Sequence, residues 1–439
     1  MKVVQVHRSH KENDRSQKFI FEEQVDGVSS ACPMSNLSSS RTAPDCSIWL
    51  IVSSGVVALA IAMGVGRFSF TPLMPLMMRD GTLSATAGAE WAAANYGGYF
   101  VGALTASWFS ENPRRGLLLS LVGVALTTLA TAAASAVPGV FAGALLRAAA
   151  GVFSAWALVC ASGWCLAELS KRQALQSGAW IYTGVGLGIA LAGMLAWLGG
   201  RQQADWLWLE LGLFAGAGAL LVWAQSAGPS TVAVRVEERE ATAIAPSSRG
   251  GQLPLVLCYG TFGFGYIVPA TFLPAMAREL APDPLVFGLT WPLFGLAAAL
   301  SVAAVARWLP AWPRKRIWAL AQGIMALGTA LPLAVQALWA MAASAVLVGG
   351  TFMVATMAGL QLAREARPDN PTPLLARMTA AFAAGQIAGP LVVRAIGPGP
   401  RAGWDALGWT GAAATLLLAL TALWLWRDAE PSFKSLRQA

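Results

Sequence analysis

Long apolar runs separated by short polar breaks fill the chain from residue 48 to residue 426. A run of about 20 mostly apolar residues is long enough to cross a bilayer as a helix. Twelve such runs stand out, at 48–78, 86–109, 116–137, 139–167, 177–199, 206–225, 253–277, 285–309, 316–336, 338–363, 374–396 and 404–426. The breaks are short with one exception. Residues 226–252, SAGPSTVAVRVEEREATAIAPSSRGGQ, are polar and rich in Ser, Ala, Gly, Glu and Arg, and they part the runs into two blocks of six. The pattern predicts an all-α membrane protein with a disordered cytoplasmic tail over 1–47, a six-helix bundle over 48–225, a cytoplasmic linker over 226–252, a second six-helix bundle over 253–427 and a short tail over 428–439. The first 47 residues lack the apolar core of a signal peptide. Met34, which opens MSNLSSS, is an alternative start.

Composition agrees with the pattern. Of 439 residues, 56% are hydrophobic and 12% charged, with a mean hydropathy of +0.57, whereas soluble domains carry about 25% charged residues. The net charge of +8 does not describe a nucleic-acid-binding face, because the basic residues sit in the breaks. Arg114–Arg115, Lys171–Arg172, Arg314–Lys315–Arg316, Arg364, Arg367 and Arg377 fall on one side of the predicted membrane, with the tails and the linker. Arg79, Arg201, Arg278, Arg394 and Arg401 fall on the other. Positive residues concentrate on the cytoplasmic side, so both termini are expected there, in a bacterial inner membrane. Two arginines, Arg67 and Arg147, belong to neither side.

The two blocks are copies. GVGRFSFTPLMPLMMRD (64–80) returns as GFGYIVPATFLPAMARE (263–279), so that Gly64, Gly66 and Pro75 correspond to Gly263, Gly265 and Pro274, each 199 residues later. WFSENPRR (108–115) returns as WLPAWPRK (308–315), and Gly184 and Gly188 correspond to Gly385 and Gly389. An even number of spans per unit gives both copies the same orientation, about an axis along the membrane normal.

GRFSFTPLMPLM (66–77), ANYGGYFVGAL (94–104), RAAAGVFSAWALV (147–159), GVGLGIALAG (184–193) and GQIAGP (385–390) resemble the YbfB/YjiJ-type group of the major facilitator superfamily. The resemblance implies that superfamily's fold, twelve helices in two parallel repeats, and secondary transport by alternating access of the two halves. Two departures accompany it. Ser107 stands near where the superfamily's loop between the second and third helices carries an aspartate, and GVGLGIALAG lacks the proline of its antiporter motif.

The chemistry centres on the two arginines. Arg67 and Arg147 each lie nine residues inward from the expected outer ends of the first and fourth helices, roughly 13 Å deep at 1.5 Å per residue. A guanidinium at mid-membrane costs about 2.5–3.5 kcal/mol on the lenient insertion scale. Its fork geometry suits a carboxylate or phosphate, so both are candidate substrate contacts. The alternative use is donation to backbone carbonyls and to Glu90, Asn95 or Glu168. Asn95, Tyr266, Gln386 and Trp156 are further candidates, since buried amides and hydroxyls need partners. Glu90 is the proton-coupling candidate. Gly64, Gly66, Pro72, Pro75, Gly263, Gly265, Pro274, Gly385 and Gly389 suit either gating or close helix packing. Trp206, Trp208, Trp308, Trp312, Trp404, Trp424 and Trp426, at the ends of runs, are expected to form an interfacial belt.

The only histidines, His7 and His10, lie in the tail, and the five cysteines form no CxxC pair. No metal, cofactor or enzymatic activity is expected. GVGLG lies inside an apolar span without the lysine of a phosphate loop. The expected protein is a monomeric, lipid-embedded secondary transporter of a small organic solute, anionic or zwitterionic. An efflux carrier of cationic or neutral compounds and a transporter-fold sensor are the alternatives.

Overall fold

The structure, a computed structural model, describes residues 48–109, 111–134, 140–226, 252–309, 312–367, 372–397, 399–400 and 403–429. The expected tail 1–47, the linker between 227 and 251, and residues 430–439 lie outside them. Each apolar run forms a helix, because a backbone in hydrocarbon must satisfy its own hydrogen bonds. In chain order these are α1 (Ile48–Arg79), α2 (Ala85–Thr105), α3 (Pro113–Ala134), α4 (Val140–Lys171), α5 (Thr183–Leu198), α6 (Ala204–Gln225), α7 (Leu253–Leu280), α8 (Thr290–Trp308), α9 (Arg314–Ala334), α10 (Leu338–Ala366), α11 (Thr372–Ile396) and α12 (Ala406–Asp428). Eleven are long and apolar enough to cross a membrane. The remaining one, α2, has the length but carries Glu90 and Asn95 among several small residues.

Helix ends follow local chemistry. Ser84 caps α2 by accepting from the Ala87 amide, and Asp405 caps α12 by accepting from the Gly408 amide. Gly81 takes φ 74° in the tight turn out of α1. Helix α2 stops at Thr105, short of the expected 109, because residues 106–109 tighten into a 3-10 turn ahead of Pro113. Helix α4 runs on to Lys171, where Glu168 pairs with Lys171 at 2.9 Å and with Arg172 at 2.7 Å.

Helix packing repeats with the sequence. In the first half α2 packs on α4, α3 on α4, α3 on α6 and α1 on α5. In the second half α8 packs on α10, α9 on α10, α9 on α12 and α7 on α11. Each pair is the other's counterpart six helices on. The main contacts between the halves, α5 on α8 and α2 on α11, exchange under the same operation. Large apolar side chains such as Leu126, Leu213, Leu300, Leu327 and Leu416 point outward. That surface belongs against lipid, since soluble monomers rarely expose such contiguous apolar area.

The repeated glycines sit at the crossings. A side chain at Gly64 would strike the Gly188 backbone, at Gly188 the Ala60 backbone, at Gly263 the Phe382 backbone and at Gly385 the Gly260 carbonyl. Gly265 and Gly389 press on the side chains of Leu418 and Ile267. Gly64 and Gly188 therefore let α1 approach α5, and Gly263 and Gly385 let α7 approach α11, backbone to backbone. Symmetry breaks within α1. Residues Ala60–Phe68 form a π-helix before the α-helical Phe70–Arg79 segment with Pro75 inside it, whereas α7 is α-helical throughout despite Pro269 and Pro274.

The crossings predict a paired result. Gly64→Ala should destabilise the purified protein by about 1–3 kcal/mol, the usual penalty of overpacking. Gly97→Ala, where the added carbon meets nothing within 4 Å, should leave the thermal unfolding midpoint unchanged or slightly raised.

Candidate functional site

The π-helical segment of α1 is the starting point. Widening from an α to a π turn disturbs the ladder of backbone bonds. Pro72 then removes the amide that would close it onto Phe68 in an α turn or onto Arg67 in a π turn. Arg147 of α4 occupies the gap: its Nη2 donates to the carbonyls of Gly66 at 3.0 Å and Arg67 at 3.1 Å. Asn95 of α2 completes the knot, with Nδ2 donating to the Arg147 carbonyl at 2.8 Å and to the Gly66 carbonyl at 3.3 Å. Three helices are thus joined through one stretch of open backbone. Arg147 is fully buried and lies beneath the rings of Trp208 and Phe70, at 5.4 and 5.5 Å.

Arg67 points the other way, toward the second half. Its guanidinium lies over the Tyr99 ring at 3.9 Å, with Phe68 and Tyr96 at 5.2 and 5.7 Å. Its Nη2 donates to the Tyr266 hydroxyl at 3.4 Å. The same hydroxyl accepts from the Gln386 amide. Tyr266 is held between the nearly parallel rings of Phe352 and Phe382, at 5.5 and 5.6 Å. Phe68 extends this wall by touching Phe352 and Trp291. Arg67 is 3% exposed, Tyr266 1% and Gln386 0%. Several polar atoms here have no hydrogen-bond partner: Arg67 Nε, Arg147 Nε and Nη1, Trp291 Nε1, Asn95 Oδ1 and Gln386 Oε1. A cavity of about 370 Å³ opens elsewhere, beside Asn112, Arg114 and Arg115, and has no part in this cluster.

The cluster lies on the pseudo-twofold axis. Arg67 and Tyr266 are repeat counterparts, 199 residues apart, and they touch. So do Thr71 and Ala270, also 199 apart, through a 2.9 Å bond from the Thr71 hydroxyl to the Ala270 carbonyl. Counterparts meet only on the axis that relates them. From this level to the end of the bundle that carries residues 80–84, polar contacts join the halves. Tyr96 bonds Thr271 at 2.9 Å, Trp197 donates to the Leu285 carbonyl at 2.7 Å, and Glu90 pairs with Arg394 at 3.0 Å.

The structure brings together Arg67, Tyr266 and Gln386, with Arg147 and Asn95 one layer behind. It separates two candidates from them. Trp156 packs among Trp108, Phe109 and Phe153 and donates to the Thr105 hydroxyl at 2.9 Å, near the far end of α2. Glu90 sits in its cross-half ion pair rather than beside the arginines. One belt residue is corrected: Trp208 is fully buried against Arg147, with its Nε1 toward the Met77 sulfur at 3.5 Å. The other belt tryptophans among those that the structure describes, including Trp206 and Trp308, are exposed. Tyr99, Phe352 and Phe382 were not singled out as site residues from the sequence. Only Tyr99 left a signal, as part of ANYGGYF.

A family model described as an uncharacterised MFS-type transporter, YbfB, matches residues 59–424. No curated protein sequence matches the chain. Among solved structures, a mutant of the nucleoside transporter NupG superposes with a TM-score of 0.68 at 13% identity, over 87% of this chain and 100% of that one. A D-xylose-proton symporter superposes with a TM-score of 0.67 at 13% identity, over 86% of this chain and 97% of that one. At these identities the likeness concerns the fold.

Because Arg147 completes the broken backbone of α1, Arg147→Gln should lower stability by about 1.5–3 kcal/mol, the range for a hydrogen bond to a charged group. The unfolding midpoint of the purified variant checks this without any ligand.

Proposed function

The chain belongs to the YbfB-type family of major facilitator transporters, and from that premise we propose that it carries a small organic anion whose carboxylate or phosphate is taken by Arg67. The family assigns a multi-pass membrane transporter rather than an enzyme. The observation that carries the finer reading is a permanent, buried guanidinium on the pseudo-twofold axis, with unpartnered donors around it and no carboxylate within ion-pair distance among the described residues.

Residue roles follow. Arg67 is the anion contact, and its fork geometry favours a planar carboxylate or a phosphate over a point contact. Tyr266 and Gln386 orient the same ligand from the second half, with Gln386 Oε1 open to a substrate hydroxyl or amine. Arg147 and Asn95 hold α1 in the shape that presents Arg67. The aromatic wall of Phe68, Trp291, Phe352 and Phe382 excludes water, which strengthens charge contacts inside it. A cationic cargo is disfavoured, because it would meet the guanidinium without a neighbouring acid.

Alternating access accounts for the bonds that join the halves at the 80–84 end. Thr71–Ala270, Tyr96–Thr271 and Glu90–Arg394 close that end over the arginine, and they have to part for the site to open there. Glu90 then belongs to the gate rather than to a proton path through the core.

A thermal-shift screen of the purified protein against small carboxylates, phosphates, amino acids and cationic drugs tests the reading. An anion at about 100 times its Kd should stabilise the native state by about 2.7 kcal/mol. Arg67→Gln should abolish that gain while shifting the ligand-free midpoint little. Stabilisation by cationic drugs and not by anions sinks the anion site.

A further inference from the structure

Charge balance inside the protein bears on how such a carrier runs. Among the described residues, Arg67 and Arg147 are the only buried charged side chains. The carboxylates nearest to them along the chain are already committed. Asp80 pairs with Arg79 at 2.7 Å, Glu90 with Arg394 at 3.0 Å, and Glu168 with Lys171 and Arg172. Among the described residues the interior therefore holds positive charge and no buried acid to offset it.

What surrounds Arg67 in the structure is neutral: a tyrosine face at 3.9 Å, a hydroxyl at 3.4 Å, and no partner for Nε. An aromatic face holds a desolvated cation more weakly than a hydrogen-bonded carboxylate does. Arg147 is better served, by two carbonyls, yet its Nε and Nη1 are also without partners.

A carrier must pass through a state closed at both ends each time it reorients. With an anion bound, the charge on Arg67 crosses that state neutralised. Empty, it crosses uncompensated. A proton cannot stand in for the missing anion, because it would add to the positive charge rather than cancel it. Reorientation is then fast when loaded and slow when empty.

We propose that this protein is an anion exchanger, in which an anion moving one way is matched by an anion moving the other and net one-way flux is minor. The proposal rests on the anion reading of the site given above. It makes the substrate itself the counter-charge that the fold omits, so the driving gradient is that of a second anion.

The test uses the wild-type protein in liposomes, with radiolabelled benzoate, succinate and inorganic phosphate as probes. Each probe is offered to empty vesicles and to vesicles preloaded with the same unlabelled anion. Uptake of at least one probe should be faster by at least about tenfold into preloaded vesicles. Equal rates in both kinds of vesicle overturn exchange and leave the anion site standing. An inward proton gradient that raises uptake into empty vesicles to the exchange rate also overturns it. Uptake of none of the three in either kind of vesicle rejects the anion reading itself, and the exchange proposal with it.

Discussion

The structure turns on a permanent charge held in a dry place. A guanidinium cannot shed its proton at any accessible pH, so the fold has to build for it. It does so twice, by different means. Arg147 receives the carbonyls that the π-helical turns and Pro72 leave open in α1. Arg67 receives aromatic faces and a hydroxyl. The first arrangement is complete enough to serve as a scaffold, since its acceptors are backbone groups that would otherwise be unsatisfied in the same apolar surroundings. Both leave donors over, but the second rests on side chains alone. One arginine ties down the backbone of α1 from outside, and the other is carried by that backbone.

Close packing makes this possible. Gly64 and Gly188 bring α1 onto α5, and Gly66 lies against Ser154 and Val124, so the backbone carrying both free carbonyls is pressed toward α4. A bulkier residue at any of these crossings would lift α1 away from Arg147. The glycines and the guanidinium are therefore one device, and neither is intelligible without the other.

Most of the fold was legible in the sequence. Twelve apolar runs, one long polar break and a repeat at 199–201 residues led to twelve helices in two matching sets, because the bilayer leaves a long apolar run little choice but to be a helix. That Arg67, Tyr266 and Gln386 would be buried polar neighbours in the candidate site was legible for the same reason in reverse: they are polar where polarity is costly. Other features were not. The role of Arg147 depends on which carbonyls α1 leaves free, and a π-helical stretch has no distinct signature among small residues. Trp208 near the start of a run reads as an interfacial tryptophan, and only the rotation of α6 turns it against Arg147. Phe352 and Phe382 look the same in sequence whether they face lipid or the axis. Trp156 was displaced by the same ambiguity, since an aromatic deep in a run has two faces to choose from.

The meeting of Arg67 with Tyr266 has a consequence for the duplication itself. A residue on a twofold axis faces its own copy. If both halves kept arginine at this place, two guanidiniums would face each other and would need an anion between them. A symmetric pair of such six-helix units could hold the charge in both members only with an anion between them. With tyrosine in one copy, the arginine in the other stands without a second cation facing it, an arrangement open to two halves fused in one chain, each free to take its own residue.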